Sequence, residues 1–341
     1  MSMEQRKSDH IQINLQKDVQ SRRKTGLEEY SFMHNSLPEI DLKDISCSCS
    51  FLGFKVDLPV MISSMTGGTQ DAKNINQILA ATAEKYGMAM GLGSIRIALE
   101  DPDRLDSFQV RKIAPSIPLF SNLGAVQLNY GYTIDHCRKA VEIVEASGLI
   151  LHLNSLQEAF QPEGNTNFSG LIKKIEKVCH ALPVPVIVKE IGWGLSASTA
   201  KILIDAGVSA LDTAGAGGTS WSEVEKYRAG DFVRSQTAAI FNDWGIPLTE
   251  SLISIRRIQP SFPLIASGGI KTGLDVAKCL ALGADLCGIA GGFLKVASKS
   301  LEDAFTYTEI IKNQLLVTMF ATGAGNISEL RKIRIKKNDS K

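Results

Sequence analysis

The chain has 341 residues, a formal net charge of +1, 44 % apolar residues and 21 % charged ones. That is enough apolar sequence for a large core, and neither half is strongly basic, so nucleic acid and anionic membrane are poor default partners while a small anionic ligand stays open. No run reaches the roughly 18 uninterrupted apolar residues of a membrane helix, and the first twenty residues lack the apolar stretch of a signal peptide, which points to a cytoplasmic protein.

In chain order, residues 1–58 are basic, polar and turn-prone, and read as an N-terminal extension covering part of the domain that follows. Within it "SCSCS" (46–50) offers two thiols, but no second Cys or His pair has the spacing of a structural zinc site. The six cysteines include no C-x-x-C pair and read as reduced, mostly buried thiols. From residue 59 one event recurs about every thirty residues: a short apolar run ends in small or polar residues and a helix-like segment follows. The runs are "PVMISSMTGG" (59–68), "GMAMGLGSIR" (87–96), "PLFSNLGAVQ" (118–127) and "GLILHLNSLQE" (148–158). They continue with "PVIVKEIGWG" (185–194), "ALDTAGAGG" (210–218), "PLIASGGIK" (263–271) and "LCGIAGGFL" (286–294), eight in all. Segments 135–147, 195–207 and 273–284 carry apolar residues at helical spacing. Alternating strand and helix implies parallel strands with right-handed crossovers, and eight units predict an α/β fold of the (β/α)8 TIM-barrel type over 59–330. A doubly wound sheet would place one glycine-rich turn after its first strand; here nearly every run ends in glycine or a polar residue. The stretch 219–262 exceeds one crossover helix and predicts a loop insertion over the barrel mouth. The tail "RKIRIKKNDSK" (331–341) reads as a solvated, basic end.

Barrel sites form at the C-terminal ends of the strands. Gly268, Gly269, Gly291 and Gly292 close the last two runs, where backbone N–H groups often cradle a phosphate; as glycines they also suit tight turns. Lys189, the first charge on its strand, is placed to face an anion or a polarised ring, to pair with Glu190, or to snorkel outward. Asn122 and Thr66 offer uncharged hydrogen-bonding groups at the same rim, or serve turns and caps. In "LILHLN", period two turns His152 and Asn154 to one face and Leu151 and Leu153 to the other. The outer face meets helices, so the polar pair points inward, and Gln157 and Glu158 follow at once. Four polar groups on one strand end mark a site.

Together these motifs resemble the type 2 isopentenyl-diphosphate isomerases, flavin-dependent barrels. The likeness spans nearly the whole chain, through "RKSDHI", "MISSMTGGT", "GLGSIR", "SNLGAVQLNYG", "HLNSLQEAFQPEGN", "VKEIGWGLS", "DTAGAGGTSW", "FNDWGIPLTESL" and "SGGIKTGLD". One departure is a leucine inside "WGIPLT", expected only to lengthen a loop. The resemblance implies isopentenyl diphosphate as substrate and FMN across the barrel mouth. It places Arg6, Lys7, His152, Asn154 and Gln157 on substrate, with Ser94 and Arg96 beside the diphosphate. It places Ser64, Met65, Thr66, Ser94, Asn122, Lys189, Thr219, Gly268, Gly269, Ala290 and Gly291 on FMN, and Mg2+ on Glu158. Catalysis would rest on Gln157, His152, Asn154 and Lys189. Protonating an unactivated alkene is demanding for an ordinary general acid, so the acid/base work is assigned to reduced FMN, with Lys189 stabilising its anionic form and Gln157 orienting or relaying. NAD(P)H would supply the reducing equivalents, and the family suggests a homotetramer or homo-octamer. The nearest rival is an FMN-dependent 2-hydroxy-acid oxidase, which needs a histidine base after the sixth strand; residues 181–341 contain no histidine. A barrel that keeps its flavin but has lost catalysis is disfavoured because the substrate-facing set is intact.

Overall fold

The computed structural model describes residues 3–338. Eight short strands form a closed parallel barrel: β1 (Val60–Ile62), β2 (Ala89–Gly91), β3 (Leu119–Gly124), β4 (Gly148–His152), β5 (Val186–Lys189), β6 (Ala210–Asp212), β7 (Leu264–Ser267) and β8 (Leu286–Ile289). Neighbours in sequence are neighbours in the sheet, and β8 closes on β1 with Cys287 opposite Val60 and Ile289 opposite Ile62. All eight runs anticipated from the sequence contain one of these strands.

Period-two alternation sorts the strand residues into layers. One residue from each strand (Met61, Ala89, Phe120, Ile150, Ile187, Ala210, Ile265 and Leu286) joins a single apolar cluster inside the barrel. Their neighbours, among them Leu149, Leu151, Val186, Val188, Leu211 and Leu264, face outward into the larger core shared with the helices. Two residues further along each strand, the inward position holds Ser63, Gly91, Asn122, His152, Lys189, Asp212, Ser267 and Gly288. The barrel is thus filled with hydrocarbon at one level and turns polar or empty at the next. That change of chemistry creates a floor on which a ligand can sit.

The described residues that precede the first barrel strand, 3–58, reach both ends of the barrel. The strands Cys49–Phe51 and Phe54–Val56 form an antiparallel hairpin whose two-residue turn, Leu52–Gly53, takes positive φ at both positions (51° and 83°), the geometry a tight hairpin demands. Phe51 and Val56 join the inner apolar cluster and plug the end opposite the polar floor. At the other end, helix α1 (Met3–Gln16) lies across the mouth. Intrahelical pairs such as Gln5 with Asp9 (2.8 Å) support its outer face. Two parallel hydrogen bonds from Arg104 to Glu4, both 2.7 Å, tie it to the segment after β2. The chain then bridges Gln20 to Thr219, and Ser21 N–H donates to the Gly218 carbonyl at 2.8 Å.

Three expectations are refined. The insertion after β6 is helical rather than a loop: helices Trp221–Arg228 and Phe232–Ala239 precede the crossover helix Leu248–Ile258. Leu248 lengthens no loop; it is the first residue of that crossover helix and is fully buried. In the tail, the Lys336 and Lys337 side chains are exposed as expected, but Ile335–Lys337 is a strand paired antiparallel with Tyr30–Phe32; residues 339–341 lie outside the described part. Cys47 and Cys49 have pKa values raised to about 11 by burial, and no group of three or more His, Cys, Asp or Glu placed to hold a metal occurs among the described residues. No helix among those residues is long and apolar enough to cross a membrane.

Candidate active site

A cavity of about 880 Å³ opens above the polar floor and under α1. Every residue that the family resemblance placed on substrate, FMN or metal lines it. Ser64, Met65 and Thr66 follow β1, Ser94 and Arg96 follow β2, Asn122 and His152 stand on β3 and β4, and Lys189 ends β5. Thr219 follows β6, Gly268 and Gly269 follow β7, and Ala290 and Gly291 follow β8. Asn154 begins, and Gln157 and Glu158 lie on, the short helix α2 (Ser155–Phe160), while Arg6 and Lys7 reach in from α1.

The floor is internally braced. His152 Nδ1 meets the Asn122 side-chain oxygen Oδ1 at 2.7 Å; that amide oxygen only accepts, so Nδ1 carries the proton and Nε2 is left as an acceptor. Burial, with Lys189, Arg6 and Lys7 nearby, pushes the His152 pKa down to about 3, so its imidazole is neutral in the working range. Lys189 does not pair with the Glu190 carboxylate. Its ammonium donates to the Glu190 backbone carbonyl, while Glu190 Oε2 accepts the N–H groups of Ile191, Gly192 and Trp193 at 2.6–2.8 Å. Asp212, fully buried beneath, accepts from the Ser267 hydroxyl at 2.5 Å, and burial raises its pKa.

Three cations converge above. Lys7 donates to the Ser94 carbonyl at 2.7 Å, and Arg6 donates to Gln161 Oε1 at 3.1 Å. Burial, added to repulsion from Arg6 and Arg96, drops the Lys7 pKa to about 7. Burial likewise lowers Arg6, with Glu158 and Glu225 opposing and Arg96 and Arg228 adding. An anion bound here would relieve that repulsion and restore the lysine proton. Glu158, also buried, accepts from Asn154 Nδ2 at 2.8 Å and from the Asn165 backbone N–H at 2.6 Å.

Several residues of the site escaped the sequence reading. Glu225 is buried on helix α3 (Trp221–Arg228) within the insertion. Its Oε1 takes hydrogen bonds from Gln157 (3.1 Å), Gln161 (2.7 Å) and His10 (3.0 Å), and its Oε2 from Arg228. Burial alone would raise its pKa, but His10, Arg228 and Gln161 hold it down at about 2. His10 also stacks edge-on against Trp221 at 5.1 Å. The signals were present but weak: His10 is one helical turn beyond Arg6, and Gln161 one turn beyond Gln157. Glu225 lay in a stretch read as loop.

Five buried polar atoms in or beside the cavity have no partner: Ser63 Oγ, Ser64 Oγ, Thr66 Oγ1, Gln127 Oε1 and Asn154 Oδ1. Buried hydroxyls and amides are rarely left so, and here they are aimed where a ligand would satisfy them. The loop after β7 is a glycine cradle. Gly268 has φ of 108°, and a Cβ there would fall 1.9 Å from the Gly215 carbonyl oxygen. The donor set fits a phosphate-bearing aromatic cofactor: hydroxyls and an amide along one side, a lysine at the floor, and exposed backbone after β7 and β8.

Residues 146–337 match the family model described as FMN-dependent dehydrogenase. Solved structures of mandelate oxidase superpose with TM-scores of 0.67 and 0.69 over 97 % of this chain and 90 % and 95 % of theirs, at 16 % identity, a likeness of fold. Relatives are far nearer in sequence. The isopentenyl-diphosphate delta-isomerase of Rickettsia peacockii (strain Rustic) is 50 % identical over 332 residues, 97 % of each chain. That of Nostoc sp. (strain PCC 7120 / SAG 25.82 / UTEX 2576) is 51 % identical over 327 residues, covering 96 % of this chain and 93 % of the relative. The chain belongs to the isopentenyl-diphosphate delta-isomerase family. Residues 181–341 contain no histidine, and β6 ends in Asp212, with glycines following it.

Proposed function

We propose that the chain interconverts isopentenyl and dimethylallyl diphosphate by a 1,3-shift of the double bond, with reduced FMN in the barrel mouth and Mg2+ at the diphosphate. The observation that carries the reading is the pairing of two intact sets in one cavity: an unsatisfied hydroxyl-and-glycine cradle around the floor, and a cluster of cations and amides facing it from α1 and α2. When bound, reduced FMN supplies an electron-rich ring able to give and take the migrating proton.

The protein's own residues do the rest. Ser64, Met65, Thr66, Ser94, Asn122 and Thr219 line the cofactor side, with the backbone of Gly268, Gly269, Ala290 and Gly291 offered to a phosphate. The Lys189 ammonium, buried at the floor, compensates negative charge on the ring. Arg6, Lys7 and Arg96 bind the diphosphate, and protonation of Lys7 on binding strengthens that grip. Neutral His152 and Asn154 hold the substrate without exchanging charge with it. Gln157 cannot titrate usefully; anchored by its Nε2 to Glu225, it presents a fixed amide and acts as an orienting group or relay. Glu158 is a single carboxylate, which suits Mg2+, an ion that commonly completes its octahedron with phosphate oxygens and water. Helix α1 covers the mouth and limits water around the reacting alkene. NAD(P)H as reductant, a homotetrameric or homo-octameric assembly and a cytoplasmic setting complete the proposal.

The test uses purified holoprotein. It should be yellow, bleach with dithionite, and convert isopentenyl to dimethylallyl diphosphate only when reduced and supplied with Mg2+. Peroxide formed from lactate or glycolate in air, without isomerisation, would overturn the reading in favour of a hydroxy-acid oxidase.

A further inference from the structure

Below the cavity lies a carboxyl with half of its hydrogen-bonding capacity unused. Asp212 ends β6 opposite Lys189 in the β5–β6 ladder, at the same inward level, and is fully buried. Its two oxygens are treated unequally. Oδ1 accepts the Ser267 hydroxyl from β7 and the Ala214 N–H at 3.2 Å, whereas Oδ2, equally shut off from solvent, has no partner. A buried oxygen of this kind ordinarily finds a donor. Asp212 itself does not line the cavity, but Lys189 and Ser267 do, so it sits one layer beneath the ligand. Glu190, the other carboxyl that Lys189 acts on, is the opposite case. Burial raises its pKa, but three backbone N–H groups converge on its Oε2 and favour the ionised form.

We propose that Asp212 is a positioning residue that acts through Lys189: it is ionised when the bound FMN is oxidised, and it takes up a proton when the FMN is reduced. The inference rests on the FMN reading above and extends it to a residue outside the cavity. A count of charges decides it. At the inward level of the strand ends Lys189 is the single cation, and it acts on two carboxyls, Asp212 and Glu190. His152, beside Lys189 on β4, is neutral, and the other two groups on Asp212, Ser267 and the Ala214 N–H, carry no charge. A hydride donor such as NAD(P)H delivers two electrons and one hydrogen nucleus to the ring, which is left with one negative charge. Lys189 then faces three anions in a site of low dielectric, where like charges raise one another's pKa. One of them has to take a proton from solvent. Glu190 is held ionised by its three N–H groups, whereas Asp212 has an oxygen that no donor stabilises. Burial already raises the Asp212 pKa, opposed by Lys189 and Ser267. Once Asp212 is neutral, the Lys189 ammonium loses a competing counter-ion. Its hydrogen bond to the Glu190 carbonyl uses one of three N–H groups, which leaves others for the ring. The balance is two electrons and two protons for each site reduced, one proton equivalent carried in with the hydride and one on Asp212.

The experiment equilibrates FMN-loaded wild type and Asp212→Asn with a reference redox dye at a series of pH values around neutrality. The reduced-to-oxidised ratio at fixed potential should fall about a hundredfold per pH unit in wild type, the signature of two protons per electron pair, and about tenfold in Asp212→Asn, the signature of one. Asparagine keeps the shape and leaves an oxygen for the Ser267 hydroxyl, so the variant should stay folded and yellow. A second measurement uses wild type alone and stands even if that variant does not fold. The infrared spectrum of the reduced protein, less that of the oxidised, should gain the C=O stretch of a protonated carboxyl. Carbon-13 in the aspartate carboxyls should move that band, and carbon-13 in the glutamate carboxyls should not. A tenfold dependence in wild type, a hundredfold one in Asp212→Asn, no carboxyl band, or a band that follows the glutamate label would each overturn the proposal. All four outcomes still show a yellow, reducible protein; failure of the FMN reading itself would show a protein with no flavin to titrate, and the two are thereby told apart.

Discussion

Glu225→Gln is the most revealing single change. The carboxylate holds His10 of α1, Gln157 and Gln161 of the β4 end, and Arg228 of its own helix in one buried cluster. A carboxyl ordinarily near 4.5 and held at about 2 favours its ionised form by about 3 kcal/mol. The amide keeps the shape and loses the charge, and it turns an N–H toward Arg228 or toward the three donors on Oε1. The stability difference from wild type should therefore be about 3 kcal/mol near neutrality. The sign with pH follows from the direction of the shift. A carboxyl lowered in the folded state contributes fully above its unfolded pKa of about 4.5 and loses the contribution as pH falls through about 2. Urea unfolding of both proteins should thus show the gap narrowing to about half at pH 3. Hydrogen exchange should show the amides of α1 losing protection in the variant, because His10 and the Arg6–Gln161–Glu225 chain pin that helix. An equal gap at both pH values, or unchanged protection of α1, would show that Glu225 is not the clasp of the lid.

Other predictions follow from the same geometry. Glu158→Gln should raise the Mg2+ requirement of isomerisation or abolish activity while the protein stays yellow; loss of FMN would refute the metal assignment. Because Lys7 titrates at about 7 in the ligand-free site, affinity for the diphosphate should weaken above that pH, by up to about tenfold per pH unit. Comparison with Lys7→Gln isolates the effect, and an identical pH dependence in the variant would count against it. Gly268→Ala introduces a Cβ 1.9 Å from the Gly215 oxygen at a φ of 108°, so about 1–3 kcal/mol of backbone strain adds to a clash; thermal melts and FMN content should both fall. Phe51→Ala opens the plug of the barrel and should cost about 3–5 kcal/mol in denaturant stability with little change in the flavin spectrum.

Much of the site was legible because barrels obey simple local rules. His152 and Asn154 declared their shared direction through the leucines between and beside them, and the glycine pair after β7 marked a backbone open to close approach. The same reasoning failed for 219–262. A stretch containing "FVRSQTAAIFNDW" has large apolar residues, yet most of them turn outward, so burial could not be read from composition. It failed too for Leu248, which looked like an inserted loop residue and instead starts a helix. The tail looked merely solvated because its lysines are exposed; its backbone finds a partner strand some three hundred residues away.

By itself the sequence determined the alternation of strand and helix, the inward or outward sense of each strand residue, and the chemical types available at each strand end. These depend on periods of two and 3.6 residues, which any short segment carries within itself. Only closure of the barrel brought the eight inward positions to one level, with hydrocarbon below and polar groups above. Only the path of the flanking segments brought α1 over the mouth and set His10 against Glu225, 215 residues away. No local period links such residues. Their meeting is decided by where the folded backbone carries them, and the free energy of a buried charge cluster exists only once that path is closed.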